Sequence, residues 1–151
     1  MLRVKILTIG RPTQVYQELS DHYIKLLRPY AKVEILALPD LSKHGRAKAI
    51  EQESFQIQKA LPEDSSIIVL DERGEIQSSL EFSQKLGGLV DRGQSLVLVI
   101  GGPYGLSQEF LKKSQCWSMS LLTFPHQLAL VILLEQLYRG LTIHAGKSYH
   151  N

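Results

Sequence analysis

Cysteine, tryptophan and methionine are scarce: 151 residues hold one Cys, one Trp and two Met, with six Pro. The lone thiol, Cys116, has no internal disulfide partner, which suits a reducing cytosol. No His/Cys group has the spacing of metal ligands, so no metal is expected. Long apolar runs are missing too. The longest aliphatic stretch, Leu128 to Leu134, falls far short of the ~20 residues a bilayer-crossing helix needs, so no membrane partner is expected. Met1 to Leu7 reads as a strand carrying Arg3 and Lys5, with no small-residue cleavage site after it. These absences point to a cytoplasmic protein. There is no internal repeat, low-complexity segment or Pro/Gly/Ser linker, so residues 1–151 read as a single domain. At 44% hydrophobic and 21% charged residues, wholesale disorder is excluded. A chain of ~150 residues buries roughly 68–70% of its unfolded surface and needs no staple.

Excess charge of one sign is also lacking. The net charge is +2, too little to argue for nucleic acid by itself. Its distribution says more. Residues 1–50 carry nine Lys/Arg against four acids, and residues 51–95 four against nine. Nothing after Glu135 is acidic, while Arg139, His144, Lys147 and His150 follow it. That stretch reads either as a solvated helix end whose cations suit the dipole or as an edge facing a polyanion. A second basic cluster runs from Lys43 to Lys48.

Strands and helices alternate along the chain. Leu2 to Ile9 is β-branched and stops at Gly10-Arg11-Pro12; Val33 to Leu38, Ile67 to Leu70 and Leu96 to Ile100 are further strands. Val15, Leu19, Tyr23, Leu26 and Leu27 recur at helical spacing over residues 14–29. Residues 43–60 form a long polar helix with Ile50, Phe55 (or Ser54), Ile57 and Leu61 as its apolar stripe. Ser78 and Glu81 have the capping-box spacing, which starts another helix. The pattern predicts an α/β protein with a mainly parallel central sheet and helices on both faces.

Four constellations stand out. Gly101-Gly102-Pro103-Tyr104-Gly105 directly follows the most apolar strand, where α/β sheets bind ligands. It matches neither G-x-G-x-x-G nor a P-loop, so a dinucleotide or NTP fingerprint is absent, and a tight turn capped by Ser107 is the structural alternative. Cys116 to His126 reads as a short edge strand running into a Thr/Pro helix start. Leu128 to Tyr138 is apolar on nearly all faces, which invites a partner surface such as a homodimer; Glu135 and Arg139 pair there at i,i+4. The tail Gly146 to Asn151 reads by composition as a frayed end, although Tyr149 and His150 offer a donor and a base.

The order of these motifs carries a resemblance. Gly101-Gly102-Pro103-x-Gly105, then Trp117-Ser118-x-Ser120-x-Leu122-Thr123-Phe124-Pro125-His126, then Glu135-Gln136-Leu137-Tyr138-Arg139 and Tyr149-His150 together resemble the ribosomal RNA large subunit methyltransferase H (RlmH) family of the SPOUT superfamily. The likeness spans essentially the whole chain. It implies a C-terminal trefoil knot, an exception to the rule that chains do not thread loops. It further implies a homodimer, S-adenosylmethionine as donor, and methylation of N3 of a pseudouridine in 23S rRNA of the assembled ribosome. Cofactor contacts are implied at Leu70, Gly101, Gly102, Gly105 and Met119-Ser120-Leu121-Leu122-Thr123-Phe124. Catalytic roles are implied for His150, Tyr149 and Arg139, with His126 as the rival base. The chain departs from the family pattern at Leu130, where a basic residue is usual, and at Ser148 and Asn151 around the terminal Tyr-His. Two alternatives keep the fold: action on another rRNA or tRNA base, and ribosome binding without turnover.

Overall fold

A computed structural model describes residues 1–151. Five strands, β1 (Leu2–Ile9), β2 (Ala31–Leu38), β3 (Ser66–Ile76), β4 (Ser95–Ile100) and β5 (Gln115–Ser118), make one sheet in the order β2-β1-β4-β3-β5. Every pairing is parallel. Parallel neighbours need crossover connections, and helices α1 (Gln14–Leu27), α2 (Arg46–Ala60), α3 (Ser79–Asp91) and α4 (Gln108–Lys112) supply the four, while α5 (His126–His144) follows the last strand.

The period of two in β4 separates the layers. Leu96, Leu98 and Ile100 join Leu2, Val4 and Ile6 in a core shared with α1, α3 and α5. Val97 and Val99 face the other way, onto Ile57 of α2 and Phe110 of α4. Helices therefore cover both faces, as expected of strands that are apolar throughout. No helix is long and apolar enough to cross a membrane.

The predicted capping box is present. Ser78 Oγ accepts from the Glu81 N–H, and Glu81 Oε2 accepts from the Ser78 N–H. Other expectations need correcting. Val15 and Leu19 of α1 are exposed, whereas Ser20 and Leu27 are buried, so the inward face of the helix is not the one the apolar spacing marks. In α2 the inward residues are Ala49, Glu53, Ser54 and Ile57, and Phe55 points to solvent. The third strand does not stop at Leu70. It runs on to Ile76, with Trp117 opposite both Leu70 and Glu75, so residues 71–74 bulge out of the ladder.

Two further points concern the C-terminal third. α5 has no fully exposed residue before His144; α1, α3 and the sheet pack around it within one chain. Leu128, Ile132, Tyr138 and Ile143 along it stay half-buried in the single chain. The tail is not frayed, since the Tyr149 ring packs edge-on against Tyr138, with centroids 4.8 Å apart.

Candidate active site

Parallel strands send all their carboxyl ends to one edge of the sheet, and the loops there enclose a cavity of about 910 Å³. Its floor is the turn after β4. Gly101 and Gly102 expose bare backbone, and the Gly105 N–H closes the turn on the Gly102 carbonyl at 2.9 Å. A side chain on the floor would have to displace its neighbours. A Cβ at Gly101 would stand 2.9 Å from Leu106 Cγ, and one at Gly102 would stand 2.6 Å from Glu53 Oε1.

One wall comes from the β3 bulge, which turns Asp71, Glu72 and Arg73 to the cavity. Arg73 grips Asp71 through Nε at 2.9 Å and Nη2 at 3.1 Å. That guanidinium holds the Asp71 carboxyl below the usual range. Glu72 Oε2 accepts from Thr123 Oγ1 at 2.6 Å, tying the bulge to the segment after β5. This segment contributes Met119, Ser120, Leu122, Thr123 and Phe124 to the lining, and α5 adds His126 and Ala129. At the rim the Arg46 guanidinium lies 5.6 Å from the centre of the Tyr104 ring.

Nine of the ten residues singled out as cofactor contacts, namely Leu70, Gly101, Gly102, Gly105, Met119, Ser120, Leu122, Thr123 and Phe124, line this one cavity. Leu121 does not; its side chain is 75% exposed. Sequence reasoning missed Asp71, Glu72 and Arg73, because a strand that bulges and resumes looks like a strand followed by a loop. The usable signal was Gly74 between two β-compatible stretches.

Arg139, Tyr149 and His150 meet one another, away from the cavity. Glu135 Oε1 accepts from Arg139 Nη2 at 2.7 Å and from the Tyr149 hydroxyl at 3.1 Å. Arg139 Nη1 lies 3.0 Å from His150 Nδ1. A guanidinium only donates, so Nδ1 is the lone-pair nitrogen in this contact. Burial, and then the bond to Glu135, push the Tyr149 phenol up, so it stays protonated at neutral pH and acts as a donor. The Glu135 bond likewise raises the Arg139 guanidinium. None of the three lines the cavity. Thirteen residues of helix separate His126 from Arg139, about 20 Å along the axis at ~1.5 Å per residue. His126, the rival, is the one histidine in the cavity lining.

The family described as predicted SPOUT methyltransferase matches residues 2–150. Proteins named ribosomal RNA large subunit methyltransferase H from Thermotoga maritima, Flavobacterium johnsoniae and Bacillus thuringiensis are 35%, 37% and 38% identical, each comparison covering 99% of both chains. This chain belongs to the RlmH family of SPOUT methyltransferases. Crystal structures share the fold at low identity. A candidate RNA methyltransferase from Bacillus anthracis has a TM-score of 0.54 at 12% identity, over 98% of this chain and 99% of that one. A methylase family protein from Neisseria gonorrhoeae reaches 0.54 at 15%, over 91% and 81%. Within this RlmH chain, the departure at Leu130 is a core position, 2% exposed and outside the cavity lining.

Proposed function

We propose that this chain transfers a methyl group from S-adenosylmethionine to N3 of a pseudouridine in the 23S rRNA of an assembled ribosome, as a homodimer. The observation that carries the reading is the cavity at the carboxyl ends of β3 and β4, floored by side-chain-free backbone, in a member of a family whose relatives bear an rRNA methyltransferase name.

The residues present fit the donor. About 910 Å³ lies within the range of small-molecule sites. Leu70, Ile100, Met119, Phe124 and Ala129 offer apolar wall, Gly101 and Gly102 offer backbone, and Asp71 and Glu72 offer acceptors. When bound, S-adenosylmethionine supplies an activated methyl on a sulfonium, so the protein's task is alignment, worth ~7–11 kcal/mol in favourable cases. The trefoil knot belongs to the same reading.

The acceptor nitrogen must also lose a proton. His150 takes that role, Tyr149 orients the base through its hydroxyl, and Arg139 stabilises developing negative charge. About 20 Å of helix keeps these groups from their own cavity, so a second subunit's tail completes each site. His150 must leave Arg139 to free Nδ1, which makes RNA docking the event that arms it. A dimer of net charge about +4, twice the monomer's +2, grips naked RNA weakly through phosphates, so the productive substrate is a shaped ribosomal surface.

The test is transfer of labelled methyl to ribosomes lacking the modification, with the nucleoside identified by mass spectrometry. His150→Ala and Tyr149→Phe lower the single-turnover rate, the former by roughly 10²–10⁴-fold; unchanged rates refute the assignment. Mixing His150→Ala with a cavity-dead Gly102→Ala chain restores about a quarter of wild-type activity if tails act in trans, because half the dimers are mixed and each has one intact site. No recovery places the tail in cis.

A further inference from the structure

We propose that Glu53 is the positioning residue of the glycine turn: its buried carboxyl ties the Leu41 loop and helix α2 to the underside of Gly102 and sets where the cavity floor stands. The proposal rests on reading that cavity as the cofactor site.

Glu53 faces inward from the middle of α2 and is 1% exposed. One oxygen, Oε2, accepts from the Leu41 N–H at 2.8 Å. The other, Oε1, is buried with no hydrogen-bond partner. Instead it lies 2.6 Å from where a Cβ on Gly102 would stand, beside Ile9 Cγ2 at 3.1 Å from the same point. Gly102 is therefore a wall one residue thick, with the cavity on one side and the Glu53 carboxyl and the end of β1 on the other. The next residue repeats the arrangement. Ser54 Oγ accepts from the Ser107 N–H at 2.9 Å, where the glycine loop enters α4. Two consecutive residues of α2 thus brace both ends of the loop 101–107.

A half-satisfied carboxyl is an unfavourable way to fill a core, and an apolar side chain of that length would serve the packing better. What an apolar side chain could not do is hold the Leu41 N–H while backing the glycine at van der Waals range. The burial raises the Glu53 pKa, in keeping with an acid retained for geometry. Glu53 does not line the cavity, so it acts through the turn.

The test uses the purified full chain, with S-adenosylhomocysteine affinity by calorimetry and amide exchange across Gly101 to Ser107. Glu53→Ala weakens binding by between about tenfold and a hundredfold and speeds exchange in the loop. Glu53→Gln keeps the volume and the acceptor for Leu41, and holds affinity within about threefold of wild type. Ile57→Ala, one turn further along α2 in the core, lowers the melting temperature and leaves affinity and loop exchange unchanged. Gly102→Ala alone loses binding, and part of that loss is recovered when Glu53→Ala makes room beneath it.

Equal effects of Glu53→Ala and Ile57→Ala, or loop exchange unmoved by Glu53→Ala, overturn the proposal. So does a Glu53→Gln variant as poor as the alanine. Failure of the wild-type chain to bind S-adenosylhomocysteine sinks the cofactor reading instead, and loop exchange then decides the positioning role alone.

Discussion

Gly74→Ala puts one methyl where the bulge of β3 meets the backbone of β5. The new Cβ would stand 2.6 Å from the Cys116 carbonyl carbon, 2.7 Å from its oxygen and 2.8 Å from the Trp117 carbonyl carbon. Carbon contacts become comfortable near ~3.5 Å, so the strands must part by roughly 0.7–0.9 Å. All three obstacles are main chain, so no rotamer change relieves them. Overpacking of this kind typically costs about 1–3 kcal/mol, and a rigid obstacle belongs at the upper end. A domain of this size loses ~2–4 °C of Tm per kcal/mol, which predicts a fall of about 6–12 °C. Gly88→Ala is the matched control. It sits inside α3, its methyl meets only the mobile Arg92 guanidinium at 3.2 Å, and the helix gains ~1 kcal/mol from alanine. Thermal unfolding followed by far-UV circular dichroism should move the two variants in opposite directions. Because β5 leads into Met119 to Phe124, Gly74→Ala should also weaken S-adenosylhomocysteine. A Gly74→Ala melt within about 2 °C of wild type, or a Gly88→Ala fall of equal size, refutes the reasoning.

Ser78→Ala removes the cap of α3 and should cost about 1 kcal/mol, or ~2–4 °C in the melt; an unchanged Tm would mean the cap is redundant. Burial raises the Glu53 carboxyl above its ordinary value, against the Leu41 N–H, with Asp40 the neighbouring charge that raises it further and His126 beside Asp40. The folded state therefore holds this proton longer than the unfolded chain. Its contribution is fully present below the ordinary glutamate value of 4.5 and is lost as pH rises through the raised one. Wild type should accordingly lose Tm relative to Glu53→Gln as pH rises above 4.5, and a difference flat with pH contradicts it. Burial also raises the Cys116 thiol, so alkylation of native protein at neutral pH should be slower than of the denatured chain, read by mass spectrometry.

The alternation of breakers, apolar runs and amphipathic stretches settled the α/β class and located all five strands without coordinates. This works because parallel strands buried on both faces must be continuously apolar, as Leu96 to Ile100 is, and because capping needs particular side chains at fixed spacing, as Ser78 and Glu81 show. The glycine turn and the segment from Met119 to Phe124 were legible for the same local reason: each needs a backbone conformation or a helix start that few residues allow. Only the tertiary structure decided the rest. Whether Phe55 or Ser54 faces inward depends on a neighbour fifty residues away, Ser107, and no period within α2 reports it. Glu53 reads as one more acid on a polar helix until the fold sets Gly102 against it. The bulge after Leu70 exists because Trp117 pairs twice, a long-range fact. The docking of Tyr149 onto Tyr138 and Glu135 likewise follows from where a helix of nineteen residues ends. Local propensity acts over a few residues, whereas burial, charge pairing and reach are set by contacts that distant segments make.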